Sequence, residues 1–113
     1  MPVKPPSESQ IVLGVMSGTS LDGLDLALVR FENNFSEFEL IGCATEPYPP
    51  LIQSKLQKAM SSSAQELAML DIELGNYIGS RVNGFLKKHS DYHPHIVSSH
   101  GHTIFHQPQN GLT

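Results

Sequence analysis

Residues 17 to 25, "SGTSLDGLD", hold a dense set of groups able to bind a charged ligand. Ser17, Thr19 and Ser20 carry hydroxyls, and Asp22 and Asp25 carry carboxylates. Gly18 and Gly23 admit tight backbone angles and put no side chain in a ligand's way. Successive N–H groups in such a turn form an anion-binding nest, and the hydroxyls add donors for phosphate oxygens. Two carboxylates suit an anion site only if a cation comes with the anion. Mg2+, held by one or two carboxylates and often through water, is such a cation. A second reading stays open, in which Asp22-Gly23 is the turn dipeptide of a plain hairpin that needs no ligand. The segment is not a P-loop, since it has no Gly-Lys-Ser/Thr. Nor is it a nucleophile elbow: in "GVMSG" the serine comes one place too late for Gly-x-Ser-x-Gly.

Histidines form the second group. His93, His95, His100, His102 and His106 crowd the last third of the chain. A His-x-His pair in a strand can put two rings on one face, which makes zinc one reading. No cysteine and no nearby carboxylate beyond Asp91 completes a ligand set, so no metal site is expected. Surface or hydrogen-bonding roles are the other reading, above all for His89, His93 and His95.

These residues must be positioned by the elements around them. "IVLGVMS", residues 11 to 17, reads as a short buried strand. In "LDLALVRFE", residues 24 to 32, Leu24, Leu26 and Leu28 alternate with Asp25, Ala27 and Val29, which predicts a second strand with one apolar face. "FSEFELIGCATEP" predicts a third, with Phe38, Leu40 and Gly42 on one side and Glu37, Glu39, Ile41 and Cys43 on the other. Asn33 and Asn34 between them tolerate left-handed angles and predict a turn. The prolines of "EPYPP" end this antiparallel meander, and Pro50 suits the first position of a helix. Leu51, Ile52, Leu56, Ala59 and Met60 follow helical spacing. Ser63 and Glu66 then form a capping box for a second helix, over about 64 to 89, with a stripe of Leu67, Leu70, Leu74, Ile78, Val82 and Phe85. Gly75 and Gly79 would let that helix approach a neighbour closely. Asn83-Gly84 could stop it early, but the apolar spacing runs on through Leu86. Ile96 to Ser99 reads as a strand entering a polar turn at 99 to 103. A helical crossover of this length places that strand parallel to the first.

Composition narrows the function classes. The 39% hydrophobic fraction supports a core, and a formal net charge of -4 argues against broad electrostatic capture of nucleic acid. No stretch approaches the roughly 20 apolar residues of a membrane span. "MPVKPPSESQ" has no apolar run of the secretory type, and residues 1–9 read as a disordered lead-in. The single cysteine, Cys43, lies in an apolar context and is expected to be a reduced core residue, which fits the cytoplasm. "PQNGLT" is neither a capped helix nor a finished strand, so residues 10–113 are expected to be a partial N-terminal domain of a longer protein.

"GVMSGTSLDGLDLALV" resembles the opening of the anhydro-N-acetylmuramic acid kinases, and "SSHGHTIFHQP" resembles their second N-terminal motif, in order and at suitable spacing. "LDIELGNYIG" looks like the segment between them. The resemblance implies an α/β fold of the actin/hexokinase/Hsp70-like (ribonuclease H-like) type, with two related ATPase-like domains closing on ATP. It implies that Gly18, Thr19, Ser20, Leu21, Asp22, Gly23, Leu24 and Asp25 form the ATP loop with Mg2+. It implies a sugar-facing loop at His100, Gly101, His102 and Thr103. Many members carry Gln where this chain has His102; both side chains can hydrogen-bond a sugar or a water, which keeps the role and leaves the protonation open. The implied reaction opens 1,6-anhydro-N-acetylmuramic acid with water and phosphorylates O6, a step of cell-wall sugar recycling in the cytoplasm. The general base is implied to be an aspartate beyond Thr113, so these residues alone are expected to be inactive. The expected partners are ATP and a small sugar, without nucleic acid or membrane, and a homodimer of the full-length protein is left open. Two alternatives remain: a non-catalytic nucleotide-binding fragment, and another kinase or ATPase of the same superfamily.

Overall fold

The structure is a computed structural model that describes residues 9–18 and 23–112. Three strands come first: β1 (Gln10–Ser17), β2 (Leu24–Glu32) and β3 (Glu37–Glu46). Helix α1 (Pro50–Gln57), a 3-10 turn (Ala59–Ser61) and the long helix α2 (Ala64–Lys88) lead to β4 (Ile96–His100). A final 3-10 turn covers Pro108–Asn110. The sheet order is β3-β2-β1-β4. β1 and β2 are antiparallel, as are β2 and β3, and β4 lies parallel to β1. This is the topology that the meander, helices and crossover predicted, and it matches the ribonuclease H-like fold that the resemblance implied. Its consequence for function is directional: β1, β3 and β4 all end, and β2 begins, at one edge of the sheet.

One sheet face carries the core. Leu13 and Val15 of β1 and Leu24, Leu26 and Leu28 of β2 are buried there. Leu56 of α1, Leu70 and Phe85 of α2, Ala59 and Tyr48 cover them. Full burial of a leucine side chain contributes about 1.5–3 kcal/mol, so the alternation of β2 alone ties this face to the helices. The predicted stripe of α2 points inward, with Leu67, Leu74, Ile78 and Val82 packed against the core. Pro50 occupies the first turn of α1, and Ser63 and Glu66 form the reciprocal capping box of α2. The apolar set assigned to the first helix splits: Leu56 and Ala59 are buried, whereas Leu51 and Met60 are exposed.

Three expectations are corrected. Strict alternation put Gly42 on the same side as Phe38 and Leu40. A bulge lies between them: Leu28 pairs with Gly42 and Val29 with Leu40, leaving Ile41 as the extra residue. Ile41 turns to the core, while Phe38 and Leu40 stay exposed. Cys43 is exposed rather than buried, because it is in register with Ala27 on the face that no described helix covers. Gly75 and Gly79 make no close approach: a β-carbon on either would meet nothing within 4 Å. The close helix–sheet contact is made instead at Gly42, where a β-carbon would stand 2.4 Å from Nε2 of His89. Near the end of the described residues, Gln107 and Leu112 bond each other's backbone around the 3-10 turn, with Gly111 at φ 76°.

The turn at 33 to 36 takes left-handed angles at Asn33 and Asn34 as expected, and also at Phe35 (φ 68°), whose ring rests against Phe31.

Candidate functional site

The ladder between β1 and β2 closes at the pair Ser17–Leu24, so residues 18 to 23 connect the strands. That register excludes a tight two-residue turn on Asp22-Gly23, because Leu24 is already paired with Ser17. Of the proposed ATP-loop residues, Thr19, Ser20, Leu21 and Asp22 lie outside the described residues.

The described members divide sharply. Gly18 follows β1 and is half-buried. Gly23 has φ 154°, and a β-carbon there would stand 2.4 Å from the Glu46 carbonyl oxygen. What this glycine admits is the chain's own backbone at the end of β3. Leu24 is fully buried, so its side chain serves the core and only its backbone can face a ligand. Asp25 is exposed; its Oδ1 accepts a hydrogen bond from Thr45 Oγ1 at 2.7 Å. A carboxylate held this way keeps lone pairs free for a hydrated Mg2+, so the residues present fit the cation that the sequence implied.

His100 ends β4 in register with Met16, on the uncovered face. With Asp25 and Met16 it lines a depression of about 420 Å³. His102 turns the other way, and its Nδ1 lies 3.1 Å from Ser17 Oγ. His100, Gly101, His102, Thr103 and Phe105 line a second depression of about 470 Å³. His100 thus borders both depressions, while His102 borders the second and reaches Ser17. Burial holds the His102 imidazole below its ordinary pKa of 6.5. No group of three or more metal-ligating side chains occurs among the described residues.

The remaining histidines with described bonds are structural. His95 Nδ1 accepts the Ile11 N–H at 3.0 Å, and its own N–H donates to Ile11 O, extending the β1–β4 pairing. His89 Nδ1 donates to Phe85 O at 3.0 Å and so caps α2 from within.

Sequence reasoning missed Tyr48. It took "EPYPP" for a strand terminator, yet Tyr48 is 7% exposed and its hydroxyl bonds Ser17 Oγ. Tyr77 of α2 packs its ring at a tilt against Tyr48, centroids 5.7 Å apart, and its hydroxyl donates to Pro47 O. Burial raises the Tyr77 phenol above its ordinary pKa of 10.0. The available signal was a lone aromatic with a polar tip between prolines, since buried tyrosines usually spend their hydroxyl on a partner.

Residues 10–113 match the family model described as anhydro-N-acetylmuramic acid kinase. An anhydro-N-acetylmuramic acid kinase of Bacillus thuringiensis subsp. konkukian is 41% identical over 105 residues, covering 87% of this chain and 28% of that protein. One from Picosynechococcus sp. is 36% identical over 105 residues, covering 88% of this chain and 27% of that protein. The chain therefore spans a little over a quarter of the length of the curated relatives it matches. The chain belongs to the anhydro-N-acetylmuramic acid kinase family.

Proposed function

We propose that this family member, as a whole protein, is an ATP-dependent kinase of 1,6-anhydro-N-acetylmuramic acid, and that these residues build the first part of its site. The observation that carries this reading is convergence. Gly18 at the end of β1, Asp25 at the start of β2 and His100 to Thr103 at the end of β4 come to one sheet edge. Crevices outside the carboxyl ends of strands are where ligands enter α/β sheets.

In the proposed reaction water adds at C1 of the sugar as the C1–O6 bond breaks, O6 takes the γ-phosphoryl group, and ADP is released with a proton. Residues Gly18 to Asp25 would hold the triphosphate with backbone N–H groups and hydroxyls, and Asp22 and Asp25 would hold hydrated Mg2+. That ion supplies charge neutralisation when bound. The protein's own contribution is positioning and a fixed electrostatic environment, which dominate phosphoryl transfer. His100 to Thr103 hold the sugar. The general base is an aspartate outside these 113 residues. The protein works in the cytoplasm, and no helix among the described residues is long and apolar enough to cross a membrane.

The test is an assay of the full-length protein with ATP, Mg2+ and the anhydro sugar. Formation of N-acetylmuramic acid 6-phosphate with one ADP per sugar is expected. ATP hydrolysis without sugar phosphate, or no use of ATP, would sink the reading.

A further inference from the structure

Ser17, Tyr48 and His102 arrive from the end of β1, the connector after β3 and the loop after β4. Their polar atoms meet at one point. Ser17 is 1% exposed, and its Oγ contacts both the Tyr48 hydroxyl and His102 Nδ1. None of these side chains is supplied by the loop at 18 to 23, and the connector's tyrosine is locked from behind by Tyr77.

The protons in this cluster can be counted. A serine hydroxyl has one proton to give, a tyrosine hydroxyl one, and a neutral imidazole one. Suppose His102 Nδ1–H donates to Ser17 Oγ. The serine proton must then go to Tyr48, and the buried Tyr48 proton has no partner among the described residues. If Tyr48 and His102 both donate to Ser17, the buried serine proton is stranded instead. A buried donor left unpaired costs about 1–3 kcal/mol. Among the described residues one arrangement uses every buried proton: Tyr48 O–H donates to Ser17 Oγ, and Ser17 O–H donates to His102 Nδ1. The phenol is also the more acidic hydroxyl and the better donor. The imidazole proton must then sit on Nε2, on the far side of the ring from Ser17.

We propose that Ser17 and Tyr48 are positioning residues that hold His102 as the Nε2-protonated tautomer, a neutral N–H donor to an ether or hydroxyl oxygen of the bound sugar. The proposal rests on the reading of His100 to Thr103 as the sugar loop. Partial burial, which disfavours the imidazolium, keeps the ring neutral in that role. A neutral donor with no charge fits sugar oxygens better than phosphate, which favours cationic partners. In this arrangement the single Ser17 proton is committed to His102, which leaves no hydroxyl proton for a phosphate oxygen.

The experiment is long-range 1H–15N spectroscopy of the full-length, 15N-histidine-labelled protein without ligand, with His102→Gln assigning the signal. A proton on Nε2 of His102 is expected. In Ser17→Ala and Tyr48→Phe the ring should shift toward a mixture of tautomers. KM for the sugar should rise roughly 2- to 10-fold, the loss of one oriented hydrogen bond, while KM for ATP stays level. A proton on Nδ1 in the parent protein overturns the proposal, and so does an unchanged tautomer in Ser17→Ala. The parent tautomer is read without Ser17→Ala or Tyr48→Phe, so a failure of either to fold does not shelter the claim. Failure of the sugar reading shows differently: the tautomer is as expected, yet His102→Ala leaves the sugar KM unmoved, and the donor role falls with it.

Discussion

Gly23 and Glu46 are packed backbone to backbone, so that a β-carbon on Gly23 would stand 2.4 Å from the Glu46 carbonyl oxygen. The end of β3 thereby braces the loop that leaves β1, and Gly23 takes φ 154° to allow it. Gly23→Ala forces a shift of backbone rather than of a flexible side-chain tip. Overpacking of this kind costs about 1–3 kcal/mol, and the positive φ adds to it. The thermal midpoint of the full-length protein should fall by several degrees. A midpoint equal to the parent's would show that the loop relaxes freely away from β3.

His102 gives stability a pH dependence of definite sign. Burial keeps its folded-state pKa below the ordinary 6.5. As pH falls through 6.5 the unfolded chain takes up the proton first, and the folded state is disfavoured. The His102 contribution is therefore fully present above the unfolded pKa and is lost as pH falls toward the folded value. Chemical denaturation at about pH 7.5 and about pH 5.5 should show the parent losing more stability than His102→Gln, which has no such proton. Equal losses in the two proteins would contradict this.

Gly75 and Gly79 lie on the outer side of α2, with open space where a β-carbon would go. Glycine in a helix interior costs about 0.5–1 kcal/mol relative to alanine. Gly75→Ala and Gly79→Ala should each stabilise the protein by about that amount, read from the denaturation midpoint. A loss of stability would instead reveal that another part of the full-length protein packs closely on this face.

The meander, the capped helix and the parallel fourth strand were legible because they rest on local signals. Leu24, Leu26 and Leu28 alternate without interruption, and Ser63 and Glu66 announce the start of α2. The face assignment of β3 was not legible, since the bulge at Ile41 shifts the pairing by one residue and leaves no mark on composition. Cys43 was misplaced for a different reason: its burial depends on which sheet face the helices cover. At the site, the small and polar residues of the loop were visible as a set, but their division was not. Gly23 answers to Glu46, Leu24 to the core, and Ser17 to a tyrosine 31 residues away. Such partnerships arise from tertiary contacts that spacing along the chain does not encode.

The most direct measurement is kcat/KM and the thermal midpoint of Asp22→Asn in the full-length protein. Asp22 lies outside the described residues, and its assignment to MgATP is the proposal made above from the loop's chemistry and the resemblance. The substitution keeps the shape and removes the charge. A hydrogen bond to a charged group is worth roughly 1.5–3 kcal/mol, or about 10- to 150-fold in rate. A fall in kcat/KM of at least that order, with the midpoint nearly unchanged, is the predicted result. A lowered midpoint with normal sugar phosphorylation by the folded fraction would make Asp22 a turn former and contradict the assignment of this loop to MgATP.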